Sequence, residues 1–392
     1  MSSPLQHVAN SSPSSVFWFT LKALFVLCLA VVVRNVLYNL YSHPLSRFPG
    51  PRLAAVTRFW KAYIECILQK SFLNELKQLH ATYGDVVRVG PNELHFAAPS
   101  AYYDIYNNRN RWDKEESLYH CFGEDASSFG FLAYREAKER RDAMSRMFST
   151  KAIEDSQWIV RDEVNTLCGA FKERNKEGKA SDLFYAYRCA TMDVVTYLCY
   201  GQPLHAVTEP DFRAPLIEAM HASSPIFPFF RHFQFSKALI KNTPPRIAKA
   251  IFPDTSGLVR MQQVSAFPLL ERIAPSQLNM HQLLRSQIAN HVRNPESISH
   301  LPHSTTIYHV LLDPEAYRNK SAPSPQSLYE ESQALMFGGG DTSASAVMIG
   351  TFHLLKNPEI LARLRRELLD VWPKLEKEPD LKELEKMPYL VG

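Results

Sequence analysis

The chain has 392 residues, with 44 Lys and Arg against 40 Asp and Glu, a formal net charge of +4. That charge is spread without a basic run, too small an electrostatic footprint for a nucleic-acid binder. Glycine, at 14 of 392, is scarce enough to count against Gly-punctuated propellers and β-barrels, whereas 26 prolines suit helices joined by Pro-stopped loops.

Residues 16–33 read VFWFTLKALFVLCLAVVV, in which Thr20 and Lys22 alone are not apolar. As a helix they span ~27 Å of a hydrocarbon layer ~30 Å thick, and residues 34–38 complete the crossing. A cleaved signal peptide fits less well, because no charged n-region precedes Lys22 and no small-x-small site follows promptly. Arg34, Arg47 and Arg52 follow the span before any acidic residue, while residues 1–15 contain no Lys or Arg. The positive-inside rule then places residues 1–15 in the lumen, an anchor at 16–38 and the body in the cytosol. The sequon at Asn10 reads as part of a Ser-rich tail too near the membrane for glycosylation.

Residues 39–52 form a Pro-rich hinge, with HPLSRFPGP at 43–51 fixing φ repeatedly and stopping the helix. The 3.6-residue periodicity of 72–83 predicts a helix, ended by Gly84-Asp85. Residues 86–89 and 93–96 around a Gly-Pro-Asn turn predict a hairpin, and Pro99-Ser100 restarts a helix. The helix expected over 133–148 carries Arg135, Lys138, Arg140, Arg141 and Arg146, read from pattern alone as a solvated face. A further helix is expected over 181–201. The apolar stretch from Ile226 through Phe235 to Phe252 suits core, lipid surface or a ligand entrance equally.

Residues 294–326, rich in Pro, Ser and His, read as an exposed loop. His300, His303 and His309 lack a completing ligand, so no metal site is expected. The six cysteines stand singly at 28, 66, 121, 168, 189 and 199, which argues against zinc ribbons and disulfide frameworks and suits a reducing compartment. At 338–343, GGGDTS has two readings: a loop with Asp341 capping a new helix, or one long helix over 328–356 distorted near 338–342. No Gly-Lys-Ser/Thr follows, so a phosphate loop is excluded.

The order of these features resembles the cytochrome P450 family, specifically a fungal microsomal haem-thiolate monooxygenase of secondary metabolism. The residues that carry it are HPLSRFPGP at 43–51, YGDVVRVGPNEL at 83–94, RRDAMSRMFS at 140–149, GGGDTS at 338–343, Asn357-Pro358-Glu359 and MPYL at 387–390. The resemblance implies a mainly α fold with a small β-sheet, residues 53–392 forming the N-terminal three quarters of the catalytic domain behind a transmembrane helix. It favours the single-helix reading at 338–343 and places Gly339, Asp341 and Thr342 in an oxygen-binding groove. There Thr342 holds hydrogen bonds and Asp341 serves proton delivery. Arg141 matches the basic position that pairs with a haem propionate, although Ala137 stands where the family commonly has His. Residues 112–131 and 227–235 correspond to substrate-contacting regions.

The family's iron ligand is a Cys in a Phe-x-x-Gly-x-Arg-x-Cys-x-Gly loop preceded by a Glu-x-x-Arg helix, and neither occurs before Gly392. Cys121, in His-Cys-Phe-Gly, is set aside as a substitute. The resemblance therefore implies haem, an NADPH-cytochrome reductase partner and an apolar substrate such as a terpenoid or polyketide, in a version truncated and inactive as written. The alternatives are a non-catalytic, membrane-anchored binder of apolar ligands or a partner subunit, and a purely structural tethered protein.

The anchor predicts a carbonate-resistant protein of the endoplasmic reticulum whose body is digested by protease added outside sealed microsomes. Recovery of the whole chain in the soluble fraction, or protection of the body, contradicts it.

Overall fold

The computed structural model describes residues 13–107, 109–237, 306–374 and 379–391. The Asn10 sequon, the part of the apolar stretch from Leu239 to Phe252, and His300 and His303 lie outside the described residues. The chain forms two compact units, Met1–Arg111 and Trp112–Gly392.

In the first unit the apolar run forms helix α1 (Pro13–Leu37), continued by a π-helical turn, Tyr38–Ser42. Its hydropathy averages 2.0 and none of it is buried, so by length and composition it is a candidate membrane span. The Pro-rich segment beyond it is fastened rather than free. Arg88 donates its backbone N–H to Pro49 O at 2.8 Å, and its buried guanidinium reaches Asn39 O at 2.8 Å and Pro91 O at 2.7 Å. A Cβ on Gly50 would stand 2.3 Å from Arg88 O, so only glycine lets the two backbones meet there.

Helix α2 (Phe72–Tyr83) ends at Gly84, whose φ of 91° no branched residue adopts easily. Strands β1 (Val86–Gly90) and β2 (Glu93–Phe96) pair antiparallel, Val87 opposite His95 and Arg88 opposite Leu94, with an irregularity between Arg88 and Gly90. Val87 and Val89 point to one face and close over Leu76 and Leu79 of α2, with Trp60 and Phe72 at the edge. The alternation of strand side chains is what delivers both valines to that core.

The second unit is helical: α3 (Tyr134–Met144), α4 (Gln157–Lys176), α5 (Leu183–Tyr200), α6 (Pro215–Ser223), α7 (Pro325–Lys356) and α8 (Pro358–Val371). Asp182 caps α5 by accepting from Phe184 N, and Gly201 closes it at φ 78°. Asp193, buried inside α5, accepts from the amides of Ala206 and Val207 at 2.9 Å each and so holds the chain that leads to α6. Met192 and Val195 of α5, Leu328 and Met336 of α7, and Ile217 of α6 share one core.

Three sequence expectations change, and one reading left open is narrowed. The expected distortion of α7 is absent: it runs as α-helix through Gly338, Gly339 and Gly340 without a 3₁₀ or π interruption. The glycines serve helix contact instead. A Cβ on Gly339 would lie 2.8 Å from Val195 Cγ2, and one on Gly340 would lie 2.7 Å from Met192 Cε, whereas Gly338 has nothing within 4 Å. The basic helix is also not wholly solvated. Arg140 is buried with Ala137, Ala143 and Met144, while Arg135, Lys138, Arg141 and Arg146 remain exposed. The segment read as an exposed loop contains a buried helix, Ile307–Leu311, capped by Thr306. Its apolar residues outweigh the Pro and Ser around them, and Tyr308 stacks on Tyr200 at 4.8 Å while its hydroxyl bonds Leu328 O. Finally, Ile226 and Phe230 of the apolar stretch are buried, but Phe235 is exposed.

Gly339→Ala is expected to destabilise the chain by ~1–3 kcal/mol through overpacking against stiff Val195. Gly338→Ala should be neutral or stabilising by up to ~1 kcal/mol from helix propensity. Urea unfolding of the detergent-solubilised chain, followed by far-ultraviolet circular dichroism, separates them. Equal midpoint shifts would show that α5 does not meet α7 at Gly339.

Candidate active site

A cavity of about 470 Å³ lies within the second unit, where α5, α6 and α7 meet residues 122–129 and Phe227. Rings from Phe122, Phe129, Phe184, Phe227 and Phe337 dominate its wall, and Glu124, Arg188, His221, Asp341 and Thr342 supply its polar groups. A larger hollow of about 890 Å³ between positions 26 and 42 is the flank of exposed helix α1 and carries no catalytic chemistry.

Of the residues expected from sequence, Asp341 and Thr342 both line the cavity, one turn of α7 beyond Phe337. Thr342 Oγ1 donates to Gly338 O at 2.8 Å, the back-bond of a helical threonine. Asp341 is held from α5: Arg188 Nε donates to Oδ1 at 2.7 Å, Nη2 to Ser345 Oγ at 2.8 Å and Nη1 to Phe184 O at 3.0 Å. The guanidinium also lies 3.7 Å from the centroid of the Phe184 ring. A planar fork with three acceptors on two helices is what Arg provides and Lys does not. Thr191 Oγ1 adds a bond to Gly340 O at 2.6 Å. Gly339 is turned against Val195, outside the cavity wall, where Gly338 and Gly340 stand instead. Arg141 is exposed, without a hydrogen bond or ion pair among the described residues, and lies close enough to Lys114 to lower that amine's pKa after burial has done so.

The roof of the cavity is tied to α7 by buried carboxylates. Glu331 accepts from Ser128 N at 2.7 Å and from Arg140 Nη1 at 2.9 Å. Arg140 Nη2 donates to Ser327 Oγ, which donates in turn to Ala126 O. Glu330 accepts from Ala126 N at 2.6 Å and Gln326 Nε2 at 2.8 Å. Removing one partner of the Glu331–Arg140 pair would strand a buried charge at a cost of ~3–5 kcal/mol.

Glu124 is different. It is 3% exposed, its Oε1 is fully buried and its carboxyl has no hydrogen-bond partner among the described residues. Burial first, then the neighbouring Glu331, Glu330 and Asp125, pushes it up to about 8. Neither Glu124 nor Arg188 was singled out in the sequence. Arg188 leaves one trace, a basic residue in a largely apolar helix whose other charge is Asp193, and Glu124 is marked only by lying in the 112–131 segment that the resemblance assigns to substrate contact.

A haem fits these residues on one side only. Gly338 and Thr342 offer an open helix face, and exposed Arg141 offers a cation for a propionate. A haem iron would need a thiolate to hold it, and no described cysteine stands at the cavity to supply one. Cys121 is buried, donates to Leu118 O and has its thiol pushed up to about 11 by desolvation. Cys189 donates to Phe212 O and burial raises it to about 12; Cys199 is wholly buried and raised as well. None of the six lines the cavity. Among the described residues no cluster of three His, Cys, Asp or Glu forms a metal site.

The raised Glu124 carboxyl gives a pH dependence with a definite sign. Between 4.5 and about 8 the folded chain keeps a proton that the unfolded chain releases, so stability falls as pH rises through that window, by up to ~1.4 kcal/mol per pH unit. Glu124→Gln should flatten this slope and leave the chain more stable than wild type at pH 8. Urea midpoints at pH 5.5 and 8 measure it; parallel slopes in both proteins would refute the assignment.

The comparisons agree on a family. The cytochrome P450 family model matches residues 50–391. The chain is 28% identical to the cytochrome P450 monooxygenase flvC of Aspergillus flavus over 92% of its own length and 69% of that protein. It is 27% identical to the cytochrome P450 monooxygenase pbrB of Penicillium brasilianum, covering 92% and 67%, and 26% identical to the conidiogenone synthase PchP450 of Penicillium rubens, covering 91% and 67%. It thus spans about two thirds of the length of these relatives. With the family model matched over more than half its residues, and with the helix and hairpin order its motifs require, the chain belongs to the cytochrome P450 family.

Proposed function

We propose that this protein is the membrane-anchored, substrate-binding part of a haem monooxygenase that hydroxylates an apolar secondary metabolite, of terpenoid or polyketide class. Electrons come from an NADPH-cytochrome reductase, and the protein resides in the endoplasmic reticulum membrane with its body in the cytosol. The observation that carries the reading is the aromatic cavity with Thr342 and Asp341 in its wall on one long helix. The fungal relatives named as monooxygenases support the reaction class.

Haem, when bound, supplies dioxygen activation and the oxidation itself. The chain's own residues do the rest. The five rings exclude water and bury the substrate by the hydrophobic effect. Arg188 fixes Asp341 through Oδ1, leaving Oδ2 without a hydrogen bond among the described residues and open to solvent protons. Thr342 keeps a hydroxyl beside it, at the place where a proton must be held and delivered. Arg141 is assigned to a propionate and Gly339 to the groove through its contact with Val195, which lets α7 sit close to α5. No described cysteine lines the cavity where it could hold a haem iron, so the roles assigned to the residues present are substrate binding and proton handling. The same observation favours the second reading, a non-catalytic binder of apolar ligands, since the cavity is built from residues present here.

The test has two arms. Residues 1–392 loaded with haem should lack the ferrous, CO-bound thiolate spectrum. A version of the protein extended by a C-terminal segment that bears a Phe-x-x-Gly-x-Arg-x-Cys-x-Gly loop should gain it and should hydroxylate an apolar substrate with reductase and NADPH. In that longer protein Thr342→Ala should lower product per NADPH consumed by about a hundredfold, the lower end of what one proton-transfer group contributes. A thiolate spectrum from residues 1–392, abolished by Cys121→Ser, would overturn the assignment. Its absence from the longer protein would leave the binder reading.

A further inference from the structure

The charges around the cavity do not balance. Arg140 of α3 is paired with Glu331 of α7 at 2.9 Å, Lys237 with Asp125 at 2.8 Å, and Arg188 of α5 with Asp341 at 2.7 Å. Lys114 is spent on the carbonyls of Ser128 and Phe129. Glu330 is satisfied by an amide and Gln326. His221 of α6 lies edge-on to Phe184, 4.8 Å between centroids. Of the charged residues in the cavity lining, Glu124 is the one whose carboxyl has neither a paired cation nor a hydrogen bond among the described residues; it is 3% exposed and its Oε1 is fully buried. A polar group left so in an apolar wall costs free energy that a complementary ligand recovers. Three acids, Glu330, Glu331 and Asp125, surround it, so the missing complement is a positive charge. Aromatic rings line the same cavity, Phe122 and Phe129 among them, and an aromatic face attracts a cation.

We propose that Glu124 is the specificity-determining residue of this cavity and that the substrate is an apolar molecule carrying one basic nitrogen, bound as its ammonium ion. The inference rests on the cavity being the substrate site. On binding, the Glu124 carboxyl gives its proton to solvent and pairs with the ammonium as a carboxylate. With the carboxyl raised to about 8, the free chain holds that proton at pH 7, so binding releases close to one proton. The ligand keeps its own.

Calorimetry on the detergent-solubilised chain at pH 7 tests this with 1-adamantanamine and its neutral counterpart 1-adamantanol. The amine should bind at least about tenfold tighter, as a charge-assisted bond allows. Its heat should vary with the ionisation enthalpy of the buffer as one released proton requires. Glu124→Gln should abolish both the preference and the proton release while leaving the alcohol within about twofold, which also shows that the variant is folded. Equal affinities in wild type, or a preference that survives Glu124→Gln, would overturn the inference and leave the apolar site standing. Failure of both probes to bind wild type would overturn the cavity reading and this inference together.

Discussion

The approach of α5 to α7 is the constraint from which the cavity follows. Two adjacent residues of α7, Gly339 and Gly340, carry no side chain where Val195 and Met192 of α5 press in, and a methyl group at either would stand under 3 Å from its neighbour. Interior glycines cost a helix ~1 kcal/mol each relative to alanine, so their placement has meaning only in the contact they allow. Closer backbones bring Arg188 within reach of Asp341 and Ser345, and Thr191 within reach of Gly340 O. The polar wall of the cavity is thus a product of helix packing, and the third glycine, Gly338, is left open beside Thr342.

The carboxylates beneath the roof make a second layer of the argument. Burying Glu331 is tolerable because Arg140 and the Ser128 amide meet it, and burying Glu330 because two N–H groups meet it. Glu330, Glu331 and Arg140 tie residues 126–128, helix α3 and the start of α7 into one hydrogen-bonded network. Gly130 belongs to the same knot, since a Cβ there would meet Glu124 O at 1.8 Å. The unmet acid beside so many met ones is the kind of local cost that persists at functional sites.

Features governed by local chemistry were legible in the sequence. The apolar anchor, the alternation of Val87 and Val89, the Gly84 stop and the Pro358 start of α8 all declare themselves within a few residues. Contacts across the chain were not. Arg188 and Asp341 lie 153 positions apart, and no local pattern marks that pairing. Arg140 and Arg141 are neighbours with opposite fates, decided by a turn of about 100° per residue. Counting from Ala137, Ala143 and Met144 recovers the buried phase, although the density of charge obscured it. Residues 307–311 were hidden by composition, because Pro, Ser and His on either side masked a short apolar helix whose worth comes wholly from Tyr200 and Leu328.

The fastening of residues 39–51 to the hairpin has a mechanical consequence. The π-helical turn continues α1, and Arg88 clasps it at Asn39 while the adjacent backbone locks onto Pro49. With α1 seated in a bilayer, the anchor and the β1–β2 hairpin behave as one lever rather than as a buoy on a tether. A thicker or thinner membrane, which changes helix tilt at a cost of only fractions of a kcal/mol per ångström, would then rotate the hairpin with it. Were α1 to span a bilayer, lipid thickness would reach the hairpin through Gly50 and a single arginine.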